Sequence, residues 1–181
     1  SWLFCAIVRV MKHFIIGLLI AQAVTQSFAA TASFDKAVWI PYWRKDEGAS
    51  TTLQNLNKLT QISPFAYELQ ADGTIKNALK IDEEPWTTLI AEAKKRKVKV
   101  YPSILSYPST ATEKKAVYDL LSNNKKRQAH VKEIVALVKK NKFDGIDIDY
   151  EAKIAEIKPY FSAFLTELSA ALRKEKKQLI C

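Results

Sequence analysis

Phe143-Asp144-Gly145-Ile146-Asp147-Ile148-Asp149-Tyr150-Glu151 is a short segment in which acids and apolar residues take turns. Side chains of a β-strand alternate between its two faces. Asp147, Asp149 and Glu151 therefore share one face, and Ile146, Ile148 and Tyr150 share the other. Successive acids on one face stand about 6 to 7 Å apart along the strand. The apolar face predicts a cover of helices, which would turn the acids toward the inside of a barrel. Glu151 falls at the C-terminal end of this strand, where barrel enzymes carry their chemistry.

Working outward, short apolar strands alternate with longer helical patterns from residue 33 onward. Strands are expected at 37–43, 62–69, 98–105 and 145–150, all rich in β-branched and aromatic residues. The first and third are apolar on both faces, as parallel strands covered on both sides are. Helices are expected at 51–59, 86–95, 112–121, 128–140 and 157–174, with a turn at Ala71-Asp72-Gly73-Thr74. In the last helix Phe161, Phe164, Leu165, Leu168 and Leu172 recur at three- and four-residue spacing and form one apolar stripe.

Repeated strand-helix units allow an open doubly wound sheet or a closed barrel. Pro41-Tyr42-Trp43-Arg44 follows the first strand in place of a Gly-rich phosphate loop, and the whole chain has four glycines. The fold expected is therefore α/β, a (β/α)8 TIM barrel. A complete barrel needs about 250 residues. Residues 33–181 hold about four β/α units and the start of a fifth strand, Gln178-Leu179-Ile180, so Cys181 reads as a truncation point.

Three carboxylates in a row inside a barrel are not all ionised cheaply, because like charges raise one another's pKa. A proton shared along the row would keep the outermost acid protonated, as a general acid must be. A calcium loop starting at Asp147 fails, since the positions that need Gly and Glu hold Ala152 and Lys158. The two histidines are His13, in the leader, and His130, expected as a surface or partly buried helix residue. No metal ligand is assigned.

Asp144-Gly145-Ile146-Asp147-Ile148-Asp149-Tyr150-Glu151 resembles the Asp-x-x-Asp-x-Asp-x-Glu signature on the fourth strand of glycoside hydrolase family 18, the chitinases and related N-acetylglucosaminidases. Trp39-Ile40-Pro41-Tyr42-Trp43 is similar to the aromatic end of that family's first strand. Ser63-Pro64-Phe65-Ala66-Tyr67 with Asp72-Gly73-Thr74-Ile75 resembles the second strand and following turn of bacterial members, spore-cortex-lytic types included. The resemblance implies retaining hydrolysis of β-linked N-acetylglucosamine polymers, chitin-like or peptidoglycan, assisted by the substrate's own acetamido group. It assigns Glu151 as the acid, Asp149 as the acetamido partner, Asp147 as its proton-sharing neighbour, and Asp144 and Gly145 as structural motif residues. Tyr42, Phe65, Tyr67 and Ser103 are the candidate substrate-side residues, with core packing the competing reading for the three aromatics. No cofactor or metal is implied. The third strand departs from the family's Ser-x-Gly-Gly and reads Ser103-Ile104-Leu105-Ser106. A sugar-binding lectin on the same scaffold is the alternative, although such lectins lose the acid. A third reading is a basic envelope-binding module whose acids are incidental.

Toward the N-terminus, Met11-Lys12-His13, the apolar run 14–24 and the small-x-small ending around Ala29 to Ala32 read as a secretory signal peptide. Met11 is the expected start, residues 1–32 the upstream and leader segment, and 33–181 the catalytic half-barrel. The apolar run is too short to span a bilayer, which takes about 20 residues, so no stable membrane insertion is expected after cleavage. The product would be secreted, periplasmic or held in the cell envelope. Cys5 would leave with the leader, and Cys181 alone forms no internal disulfide. The net charge is +9, from 28 basic and 19 acidic residues. The lysines fall in the helical stretches 94–99, 125–127, 139–142 and 173–177 without interleaved aromatics, so a solvated surface is expected and no nucleic-acid partner.

Overall fold

A computed structural model of the chain describes residues 34–151 and 154–181. The chain divides into two compact units, Ser1–Phe34 and Asp35–Cys181, and every element below belongs to the second. The leader reading, 1–32, lies outside the described residues. Among the described residues no helix is long and apolar enough to cross a membrane.

The strands are β1 (Ala37–Ile40), β2 (Gln61–Pro64), β3 (Tyr67–Leu69), β4 (Ile75–Asn77), β5 (Lys99–Val100), β6 (Ser103–Ser106), β7 (Gly145–Tyr150) and β8 (Gln178–Ile180). The helices are α1 (Lys45–Asn55), α2 (Trp86–Lys95), α3 (Ala111–Ser122), α4 (Asn124–Lys140) and α5 (Lys158–Lys174). β1 pairs with β2 and β2 with β5, while β3, β6, β7 and β8 pair in turn, all parallel. β4 flanks β3 antiparallel. The expected strands at 62–69 and 98–105 are thus each divided in two. In the second case the cause is Pro102, which has no N–H for the ladder. The first strand ends at Ile40 because Pro41 follows, and Tyr42–Arg44 forms a 3-10 turn.

By hydrogen bonding the strands form two sheets, β1-β2-β5 and β4-β3-β6-β7-β8. Because β2 leads into β3 and β5 into β6, the α/β order read through the divided strands is β1, β2/β3, β5/β6, β7, β8, four strand-helix units and a fifth strand. Curvature of the barrel kind is nevertheless present. In a flat sheet β1 and β7, three spacings apart, would lie about 14 Å from one another with side chains parallel. Instead the Trp39 indole of β1 reaches the Asp147 carboxylate of β7 at 3.1 Å, which requires the acid-bearing face to be concave.

The convex face is covered by helices with buried residues at three- and four-residue spacing: Trp86, Leu89 and Ala93 on α2, and Phe164, Leu168 and Leu172 on α5. Thr110 and Glu113 form a capping box at the start of α3. On α4 the stripe includes Arg127, which donates to the Leu121 carbonyl and pairs with Glu167 of α5 at 2.8 Å.

His130 belongs to the same stripe and is 2% exposed, so its expected surface or partial burial is corrected. Its Nε2 lies 2.7 Å from the Tyr150 hydroxyl, and its ring stacks on Phe164. Burial pushes its pKa down to about 4 from an ordinary 6.5. The fold therefore holds neutral imidazole. Its contribution is complete above the unfolded value and is lost as pH falls from 6.5 toward 4. At about 1.4 kcal/mol per unit, acid costs up to ~3 kcal/mol at this site. Urea melts at neutral pH and near pH 4 check this: the His130→Gln variant is expected to lose most of the difference.

Candidate active site

Ser103 of β6 registers directly with Asp147 of β7. Its hydroxyl donates to Asp147 Oδ2 at 2.6 Å, and the Trp39 Nε1–H donates to the same oxygen at 3.1 Å. Asp147 is 3% exposed. Burial raises its pKa, and the hydrogen bonds from Ser103 and Trp39 act against that rise. The sequence reading traces such a rise to like charges along the row; at Asp147 burial is the largest cause.

Exposure rises along the row toward the strand's end. Asp149 is partly exposed and registers with Leu105, while Glu151 is exposed just beyond β7. The Glu151 N–H donates to the Ser106 carbonyl at 2.8 Å, so its backbone remains tied to β6 where the side chain meets solvent. On the opposite face Ile146, Ile148 and Tyr150 are buried in the core. One strand thus presents a buried carboxyl with two fixed donors, an intermediate carboxyl and an exposed one. That order suits a reaction in which the inner acids position substrate and the outermost transfers a proton.

Asp144 lies at the other end of β7. Its Oδ2 accepts from the Val100 N–H at 2.9 Å, and its Oδ1 pairs with Lys99 at 3.0 Å. These bonds fasten β7 to β5, far from Glu151. At Gly145 an added Cβ would stand 2.0 Å from the Gln178 carbonyl oxygen of β8. A residue with no Cβ is therefore needed for β8 to pair here.

Of the candidate substrate-side aromatics, Tyr42 is exposed in the 3-10 turn after β1 and packs edge-on against Trp43, with ring centroids 4.9 Å apart. Phe65 is half-buried just past β2. Tyr67 is corrected: it is 4% exposed and belongs to the core. Strict alternation from Ser63, which registers with Trp39, would place Tyr67 on the acid-bearing face. The break at Phe65-Ala66 reverses the alternation. Tyr67 registers with Ile104, itself opposite Ile148, and so lies on the helix side. Burial, followed by the nearby Asp82 carboxylate, raises its pKa.

Sequence reading missed two residues as site members. Trp39, quoted as part of a motif, supplies a donor to Asp147, and Tyr107, next after β6, is 65% exposed. The exposed large apolar side chains described in the second unit are Trp39, Tyr42, Trp43 and Tyr107. All four are aromatic, and all lie on or just beyond the C-terminal ends of β1 and β6. The concentration of bulky aromatics after residue 38 was the one signal in the sequence; their exposure was not readable from pattern. Among the described residues no three acidic, histidine or cysteine side chains cluster as a metal cage requires.

Residues 38–181 match the glycosyl hydrolases family 18. An uncharacterized glycosylase of Bacillus subtilis (strain 168), YvbX, is 29% identical over 129 residues, covering 66% of this chain and 36% of that protein. Among solved structures, the class V chitinase of Pseudomonas fluorescens superposes with a TM-score of 0.68 at 22% identity, over 81% of this chain and 44% of that one. The spore cortex-lytic enzyme SleL of Bacillus megaterium superposes with a TM-score of 0.65 at 22% identity, over 80% of this chain and 33% of that one. The chain spans less than half the length of each of these proteins.

Proposed function

The chain belongs to glycosyl hydrolases family 18, and on that premise we propose that the protein is a retaining glycosidase. Its substrates are β-linked N-acetylglucosamine polymers, chitin-like or peptidoglycan, and it works outside the cytoplasm in the secreted, periplasmic or envelope space. The observation that carries this reading is the graded acid row of β7, with Asp147 buried under Ser103 and Trp39 and Glu151 exposed at the strand's end.

Glu151 protonates the glycosidic oxygen as the bond to the anomeric carbon breaks. The acetamido carbonyl oxygen of the sugar attacks that carbon and closes a cyclic oxazolinium ion, so no protein carboxylate acts as nucleophile. Asp149 accepts a hydrogen bond from the acetamido N–H and offsets the positive charge of the ring. Water then attacks the anomeric carbon and gives its proton to the Glu151 carboxylate, which restores the acid. Asp147, two residues before Asp149 on the same face of the strand, positions it across the i, i+2 spacing. Aromatic side chains at Tyr42, Trp43 and Tyr107 offer flat faces to the pyranose rings. A complete sugar cleft needs the remaining strands of the barrel, and the chain alone is expected to be inactive.

The test is hydrolysis of fluorogenic N-acetylglucosamine oligomers by the chain extended past Cys181 to the length of its relatives. Turnover supports the reading; sugar binding without turnover would move it to the lectin.

Trp39 is a positioning residue in this scheme. Losing one hydrogen bond to an ionisable group costs about 1.5 to 3 kcal/mol. Trp39→Phe is therefore expected to lower kcat/KM by about 10- to 100-fold and to shift the acidic limb of the pH–rate profile upward. A fall in rate with an unmoved profile would restrict Trp39 to packing.

A further inference from the structure

The basic residues are not evenly distributed over the fold. The segments KKRK at 94–97, KKNK at 139–142 and RKEKK at 173–177 hold eleven of the 28 basic residues of the chain and one acid, Glu175. Each segment is the end of a helix and the turn that leads into a strand: α2 into β5, α4 into β7, and α5 into β8. All three therefore lie where the parallel strands begin, the length of β7, about 20 Å, from Glu151.

Contacts make the three turns one surface. Lys94 Nζ donates to the Asn141 carbonyl at 3.3 Å, Lys177 Nζ to the Phe143 carbonyl at 2.5 Å, and Lys139 pairs with Glu175 at 2.9 Å. Lys94 is held below its ordinary pKa first by burial, with Asp144 opposing and with Lys142 and Lys177 repelling it. Cations from all three turns thus feel one another.

Helix dipoles account for a cation or two in each last turn. They do not account for Lys97, Lys142 and Lys176, which follow the helix ends at φ of 62°, 54° and 57°. This left-handed position ordinarily takes Gly or Asn, because a Cβ is penalised there by about 1 kcal/mol. Three successive turns keep an exposed lysine at that penalty.

We propose that this end of the fold is a docking surface for an anionic lipid bilayer. The charges cap loop ends and form a broad face rather than line a channel. The neighbouring cleft, lined by Ile90, Ala91, Lys94 and Phe143 among others, is mostly apolar and gives a linear polyanion no track. Bilayer docking leaves Glu151 facing away from the lipid, toward a polymer on the far side. The docking itself stands independently of the hydrolytic reading.

The experiment is co-sedimentation of the full chain with vesicles of about 30% phosphatidylglycerol in phosphatidylcholine, where each lysine near the surface contributes about fivefold in affinity. One variant carries Lys97→Asn, Lys142→Asn and Lys176→Asn, changes that the left-handed backbone accepts. A second removes equal charge at the strand ends near Glu151, by Lys45→Gln, Lys114→Gln and Lys158→Gln, each in the first turn of a helix that follows a strand's C-terminal end. The run 14–24 is common to all three proteins, so binding through it is equal in them. The first variant is expected to bind about 100-fold more weakly than the unchanged chain, and the second to stay within about threefold, with binding screened by salt. Equal weakening in both variants would reduce the effect to net charge and overturn the proposal, as would undiminished binding by the first. Tighter binding of the unchanged chain to soluble polyphosphate than to vesicles at matched phosphate concentration, lost in the first variant, would assign the face to a linear polyanion and also overturn it.

Discussion

Replacing Glu151 with glutamine is expected to lower kcat of the extended chain by about 10²- to 10⁴-fold, the contribution of a positioned general acid, with little change in affinity for the sugar. Glutamine keeps the size and polarity of the side chain and removes the transferable proton. Glu151 is exposed, and its backbone N–H ties it to the fold through the Ser106 carbonyl, so the substitution leaves packing alone. Its thermal midpoint should match that of the unchanged protein. Substrates with a good leaving group need less protonation and should recover part of the lost rate, which separates loss of the acid from loss of the site. Undiminished turnover in Glu151→Gln would remove the residue from the chemistry.

The largest effect on stability is expected at Gly145. A Cβ there would stand 2.0 Å from the Gln178 carbonyl oxygen, 2.8 Å from its carbon and 2.9 Å from its nitrogen. All three are backbone atoms, so no rotamer change relieves the clash. Gly145→Ala must push β8 away from β7 and break the register that pairs Gly145 with Gln178 and Ile146 with Leu179. Overpacking in a core costs about 1 to 3 kcal/mol, and loss of an edge strand adds to it, so a drop of at least ~3 kcal/mol is expected in urea unfolding. Hydrogen exchange should locate the damage, with protection lost first at 178–180. A variant as stable as the parent would mean that β8 pairs with β7 in a different register.

What pattern alone conveyed follows from alternation. Ile146, Ile148 and Tyr150 needed a cover, and their two-residue period put Asp147, Asp149 and Glu151 together on the concave side. The helix stripes were legible for the same reason, and α2 (Trp86–Lys95) has the predicted bounds. His130 was equally legible, since it falls in register with Ile134 and Val138 on α4; polarity hid it, and its partner Tyr150 is remote in sequence. The divided strands were not legible, because Pro102 and the Phe65-Ala66 break alter local geometry without changing composition. That break moved Tyr67 to the helix side. Trp39 was out of reach for another reason: its bond to Asp147 exists only because the ladder curves, and curvature belongs to the assembled sheet rather than to any one strand. The surface lysines read as scattered while they were counted along helices, and their common end emerged once the helix-to-strand turns lay side by side.

The central claim is that Glu151 and the β7 acids cleave N-acetylated glycans with the substrate's own acetamido group as nucleophile. Time-resolved proton NMR of N-acetylglucosamine oligomers treated with the extended chain tests it most directly, by reading the anomeric configuration of the first product. Two successive displacements at the anomeric carbon give a β-anomer that mutarotates later, and that is the expected result. An α-anomer formed first would mean direct attack by water, and would contradict the assignment of Asp149 and of the acetamido group together.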